Sequence, residues 1–224
     1  MAPDPALLQG DELCVSYRSA DGVVPAVVEV SLRLRAGAFV VLAGPSGSGK
    51  SSLLRVLGLI DRPTSGALTI GGRDVLALRD GGRRRLRRAK LAYVHQRPVT
   101  NLVDDLTAAE QVAFALQSRG LPVLGVPDVL ARFGLADQAS SRPAHLSGGE
   151  QQRLAIAMAT AVAPSVLLAD EPTAELDRHH ADEVIAAIAE SAAGGQTVVA
   201  ASHDPEMIAA ADEVVWLREG RRVT

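Results

Sequence analysis

Cysteine is nearly absent. Cys14 is the only one in 224 residues, so no intramolecular disulfide can form, and the usage fits a reducing cytosol. Long apolar runs are missing as well. The stretch AVAPSVLLA (residues 161–169) is broken by Pro164 and falls short of the roughly 18 residues that a membrane span requires. The opening MAPDPALLQGDE carries early acids and prolines and no basic-then-apolar order, so a secretory leader is not expected there. An excess of positive charge is also lacking. The formal net charge of −3 argues against bulk attraction to nucleic acid. Lysine is scarce: Lys50 and Lys90 are the only two against a large excess of arginine. One of the two stands in GSGKSS, where a compact ammonium fits between phosphate oxygens that a planar guanidinium would crowd.

What is present is a core and a rhythm. With 47% hydrophobic residues, the chain can bury one substantial core. ELCVSY and VVEVSLRL read as strands, the second with Val28, Val30, Leu32 and Leu34 alternating as on a half-buried sheet. AFVVLA (38–43), SVLLAD (165–170) and TVVAAS (197–202) are continuous apolar runs ending at turns, the pattern of buried parallel strands; EVVWL near the end is a further strand. Helical segments follow Lys50, span roughly 178–192 up to Gly194-Gly195, and start at Asp204-Pro205. Strands alternating with helices predict an α/β fold with a mostly parallel sheet covered on both faces. Residues 97–163 break the rhythm and read as a helical insertion. Thr107 with Glu110 and Ser147 with Glu150 form two capping boxes. The first opens a helix with Ala109, Val112, Ala113 and Leu116 on one face, ended by Gly120.

Gly44 to Ser51 spell G-x-x-x-x-G-K-S between a buried strand and a helix, the context that defines a P-loop. In such a turn (Gly44, Pro45, Ser46, Gly47, Ser48, Gly49, Lys50, Ser51, Ser52) backbone N–H groups converge on a phosphate. Lys50 is placed for the β- and γ-phosphates and the Ser51 hydroxyl for Mg2+. SVLLADEPT puts Asp170 at the end of a buried strand, where that ion sits, and Glu171 next to it to orient or deprotonate water. The glycine turn at Ser147, Gly148, Gly149 and Glu150 opens a second helix and is a second anion-binding design, about a hundred residues from the first. His179 and His180 on a polar helix start read as solvated. RRRLRR (83–88) reads as a solvated face beside a membrane partner, with lipid headgroups or nucleic acid as the other anions it could meet.

The order of strand, P-loop, LSGGE, LLADEP and SHD resembles the ATP-binding subunit of an ABC transporter over nearly the whole chain. The resemblance implies a P-loop NTPase (RecA-like) core over 1–96 and 164–224, with an N-terminal antiparallel β subdomain. An inserted α-helical subdomain over 97–163 completes a single domain of 1–224. It implies ATP and Mg2+ as ligands, Tyr17 as the aromatic on adenine and Gln96 (in YVHQRP) as a metal and water contact beside Ser51 and Asp170. His203 becomes the γ-phosphate contact and Ala174 to Asp177 the loop that crosses between subunits. It also implies that Ser147, Gly148, Gly149 and Glu150 close over ATP held by the P-loop of a second copy, which explains why one chain carries two phosphate-binding turns. LGLIDRPTSG, LSGGEQQRLAIA and LADEPT resemble the macrolide-exporter, lipoprotein-release and cell-division group. That implies a partner permease in the membrane, a cytoplasmic position on its inner face, and no nucleic-acid partner. A regulatory ATPase that signals through a membrane partner, and a soluble ATPase acting on nucleic acid, are the other readings. Three departures from the family pattern stand out: Glu150 where glutamine is frequent, Met158 in place of an arginine, and Glu175 in the crossing loop.

Overall fold

The computed structural model describes residues 7–19 and 22–223; residues 1–6, read above for a leader, lie outside them. Two sheets are present among the described residues. The smaller is antiparallel and joins β1 (Leu8–Ser19), β2 (Gly22–Leu34), β4 (Ser65–Ile70) and β5 (Arg73–Asp74) in the order β2-β1-β4-β5. The larger joins β3 (Phe39–Ala43), β6 (Leu91–Val94), β7 (Val166–Asp170), β8 (Thr197–Ala201), β9 (Glu213–Arg218) and β10 (Arg221–Val223) in the order β10-β9-β3-β8-β7-β6. Its strands are parallel apart from β10.

Every residue of β3, β7 and β8 is buried, which is why their sequences are apolar apart from Thr197 at one start and Asp170 at one end. Side chains alternate between two apolar layers. Phe39, Val41 and Ala43, with Leu167, Ala169, Val198 and Ala200, face one layer. Most of its other members come from α3 (Ala108–Ser118), α4 (Val126–Arg132), α5 (Gly148–Ala161), α6 (Arg178–Ala193) and α7 (Pro205–Ala210). Val40 and Leu42, with Val166, Leu168 and Val199, face the other. That layer is closed by α1 (Lys50–Leu57) and by the inner face of the antiparallel sheet through Leu8, Leu13, Val30 and Leu34. Among the described residues between β6 and β7 the chain contains helices and loops and no strand.

The alternation expected for β2 holds only in part. Val30, Leu32 and Leu34 are buried, but upstream Val27 is buried and Val28 is not. Glu29 sits at φ 53 and the register with β1 shifts there. The extra residue of this bulge moves the preceding side chains to the other face. On α3 the fully buried positions are Ala108, Gln111, Val112 and Leu116, so the face is rotated by about one residue from the one read in the sequence. Gln111 is tolerated inside because its amide accepts from Val103 N–H and donates to Val103 C=O. α2 (Asp80–Lys90) has no apolar stripe from which it could be read.

Both capping boxes form. Thr107 Oγ1 accepts from Glu110 N–H, and the Glu110 carboxylate accepts from Thr107 N–H at 2.8 Å. That carboxyl is held below the ordinary range chiefly by this backbone bond. Thr107→Ala is expected to lower unfolding free energy by about 1 kcal/mol without altering the helical insertion; an unchanged denaturant midpoint would show that α3 does not depend on its cap.

Candidate active site at the sheet edge

The ends of β3, β7 and β8 deliver the P-loop, Asp170-Glu171 and Ser202-His203 to one side of the sheet. The turn after β3 can be made only by glycine where it is tightest. Gly44 lies at φ 147, and a Cβ there would stand 2.2 Å from Leu217 C=O. Gly49, at φ 99, would meet Ala26 C=O at 2.2 Å. The amides of the turn therefore curl toward the start of α1, making a nest for an anion. A hollow of about 190 Å³ opens there, lined in part by Ser46, Gly47, Lys50, Ser51, Gln96 and Glu171.

Lys50 is almost wholly buried, with its Nζ donating to Gly44 C=O at 2.8 Å and Pro45 C=O at 3.1 Å. Its ammonium also lies 3.7 Å from Glu171 Oε1. Ser51 Oγ donates to Asp170 Oδ1 at 2.8 Å across 119 residues of sequence. Burial raises the Asp170 carboxyl above its ordinary range; the Ser51 bond opposes this, and the neighbouring Glu171 charge adds to it. A buried carboxylate with a hydroxyl at its side is a pair of hard oxygen donors. Together with the Gln96 amide it suits an ion held by one carboxylate and completed by waters and phosphate oxygens, as Mg2+ is.

Glu171 occupies the left-handed region at φ 47, uncommon for a residue with a side chain. Its N–H donates to Ala201 C=O at 2.9 Å, which pins the backbone to β8 and swings the carboxylate toward Lys50. His203 Nδ1 lies 3.1 Å from Glu171 Oε2 on the other side. His203 does not line the phosphate hollow; it borders an apolar recess of about 450 Å³ with Gly44, Pro45, Pro205, Ile208 and Trp216. Tyr17 is also apart from the hollow, exposed, with its hydroxyl donating to Asp61 Oδ2 at 3.3 Å. Ser48 turns inward and is buried. Ser147 to Glu150 are not among the residues lining the hollow. Ser147 Oγ accepts from Glu150 N–H and the Glu150 carboxylate accepts from Ser147 N–H at 2.7 Å, so glutamate serves the cap where glutamine is frequent. A Cβ on Gly149 would meet Leu176 at 3.3 Å, and one on Gly148 would lie 4.0 Å from the Glu175 carboxylate. Within one chain the second glycine turn therefore packs on the 174–177 loop. Met158 borders a groove of about 590 Å³ between α2, β6 and the helical insertion. His180 pairs with Asp177 and His179 with Glu183 at the surface.

Two sets of supporting contacts escaped the sequence reading, although Asp204 is legible there as a helix start. Asn101 accepts from His95 N–H at 2.8 Å and donates back to His95 C=O at 3.0 Å, bracing the loop that carries Gln96. Asp204 accepts from Glu206 N–H, from Thr173 Oγ1 at 3.1 Å and from Arg178 at 3.3 Å. It thus ties the histidine turn to the loop after Glu171. The Ser-His-Asp-Pro order contains that cap as a signal; Thr173 and Arg178 leave none.

A family model described as ABC transporter matches residues 27–174. The Macrolide export ATP-binding/permease protein MacB 1/2 of Paracoccus denitrificans is 41% identical over 211 residues, covering 92% of this chain and 31% of that protein. MacB of Escherichia coli K12 is 38% identical over 221 residues, covering 97% and 34%. The chain thus spans about a third of the length of the curated relatives it matches. Among solved structures, the dimeric post-hydrolysis state of the ATP-binding cassette MJ0796 bound to ADP and Pi has a TM-score of 0.87 at 30% identity, covering 97% of both chains. The cbiO1 protein from Clostridium perfringens, part of the ABC transporter complex cbiONQ, has a TM-score of 0.82 at 27% identity, covering 98% of this chain and 88% of that one.

Burial pushes the Asp204 carboxyl up, but its hydrogen bonds from Glu206 N–H, Thr173 and Arg178 outweigh this and hold it below the ordinary range. A depressed carboxyl adds stability above its unfolded value and loses it as pH falls through its folded value. Asp204→Ala is therefore expected to cost about 1 kcal/mol at neutral pH through the lost cap, with the cost shrinking in acid. A cost that stays constant from neutral pH into acid would contradict the assignment.

Proposed function

The chain belongs to the ABC transporter family, and on that basis we propose that it binds and hydrolyses ATP with Mg2+ in a dimer and thereby drives a membrane permease. The observation that carries this reading is the convergence of Lys50, Ser51 and Glu171 on one hollow from distant parts of the sequence, with Asp170 bonded to Ser51 behind it. The free backbone amides between Ser46 and Ser51 and the Lys50 ammonium receive the β- and γ-phosphates, to which they offer fixed positive poles. Ser51, Asp170 and Gln96 would hold Mg2+, which supplies charge neutralisation on the phosphates. Glu171, near Lys50 and His203, accepts the proton of a water as its oxygen bonds to the γ-phosphorus and the β–γ bridge breaks. Lys50 and His203 then face the negative charge that develops on the phosphoryl and the leaving ADP. Tyr17 stacks on adenine.

The Gly148 and Gly149 amides, at the start of the helix that Ser147 caps, face the ATP of a second copy, so each site is shared by two chains related by twofold symmetry. Support for export comes from the macrolide-export relatives, whose names join ATP-binding and permease functions. Among the described residues no helix is long and apolar enough to cross a membrane. The spans belong to the permease, and this domain sits on the membrane's inner face.

Glu171→Gln is expected to cut turnover by at least about 100-fold, the contribution of a positioned base. ATP affinity should be kept, with an ATP-bound dimer recovered by gel filtration; normal turnover would remove Glu171 from its role. Ser147→Arg should abolish hydrolysis and spare ATP binding. Mixing it with Lys50→Ala chains tests the shared site directly. One complete site forms in the mixed dimer and part of the activity returns, whereas self-contained sites would leave the mixture inactive.

A further inference from the structure

Residues 79–90 hold seven cations and one acid in a chain whose net charge is −3. α2 carries six of these cations and sorts them into two groups. Arg83 is turned inward and donates to Leu59 C=O at 3.2 Å and Asp61 C=O at 2.9 Å. Arg87 donates to Leu59 C=O and Arg88 to Ser118 C=O. These bonds fix the helix to the core. Arg84 and Arg85 are exposed on the outward side, with Lys90 at the helix end and Arg73 of β5 beside them, and the side chains of these four appear in no hydrogen bond or ion pair among the described residues.

Two hollows flank the helix. One, of about 230 Å³, has a rim of Arg73, Arg85 and Lys90 around a floor that includes Leu86 and Ala89. The other, of about 280 Å³, is bordered by Arg83, Arg84 and Arg87. The Arg83 Nε is buried and has no hydrogen-bond partner. Asp80, the one acid of the segment, is engaged by Arg62.

We propose that this face of α2 is a docking surface for a bilayer rich in anionic phospholipid. The unpaired guanidinium and ammonium groups meet headgroup phosphates, and the apolar floor between them receives glyceride carbon. Charge complementarity favours a lipid surface over duplex nucleic acid. The cationic face is a single helix about 16 Å long, too short for the row of phosphate contacts that holds a protein on DNA, and the rest of the chain is net negative. The surface would give the domain a membrane contact of its own, independent of any permease.

The test uses the purified chain with vesicles of phosphatidylcholine alone or mixed with phosphatidylglycerol. Binding is expected only to the mixed vesicles and should weaken as salt is raised. Arg84→Gln/Arg85→Gln should weaken it by about 25-fold, taking about fivefold for each charge near an anionic surface. An unchanged unfolding midpoint in that variant excludes misfolding as the cause. Equal binding to neutral vesicles, or undiminished binding by the variant, would overturn the proposal. So would displacement of the vesicles by duplex DNA at equal salt.

Discussion

The central strands of the larger sheet, β3, β7 and β8, are buried on both faces, and everything at their ends depends on that constraint. Two apolar layers leave β3, β7 and β8 almost no freedom of register, because a shift by one residue would exchange the sides of every side chain. Fixed register fixes where the strands stop. The P-loop, the Asp170-Glu171 pair and the Ser202-His203 turn therefore arrive at one level although more than a hundred residues separate the first from the others. The Ser51–Asp170 bond is a consequence of this alignment rather than its cause. In a sheet wetted on one face the same side chains would sit at looser heights.

Electrostatics at the edge is arranged by opposition. Asp170 is buried and has its charged form disfavoured, yet the Ser51 hydroxyl stands ready to stabilise it. Glu171, the neighbouring carboxylate, is swung away by a left-handed backbone and lies near Lys50 and His203 instead. Two adjacent acids thus occupy different surroundings, the condition under which one suits a metal and the other a proton. The backbone conformation of Glu171 costs energy and is held by its N–H bond to β8.

The sequence made the parallel sheet legible because FVVLA, VLLA and VVAA are unbroken apolar runs, and the two capping boxes because their pairs lie three residues apart. The P-loop was legible through its glycines and its strand-turn-helix setting. Less visible were features set by distance or by irregularity. The bulge at Glu29 inverts the face of Val27 and Val28 without any local mark. α2 has no apolar periodicity, since beside Leu86 its inward side chain is Arg83, which donates through one nitrogen to carbonyls of the chain after α1. Thr173, Arg178 and Asn101 act by bonds to residues that tertiary structure brings near, and nothing in their own neighbourhoods announces this.

The position of β3 has a consequence for how the molecule is made. Its neighbours are β8 and β9, which pair with it through Val198 and Glu213 onward. Both leave the ribosome after about 150 further residues. At synthesis rates of about 5–20 residues per second, the bare edges of FVVLA stay unpaired for roughly 8–30 s. During that interval the P-loop has no sheet to stand on, and one of the most apolar strands of the chain is open to other chains. That exposure lasts until β8 and β9 emerge, so any stalled product cut before β8 is an aggregation hazard rather than a weak ATP binder.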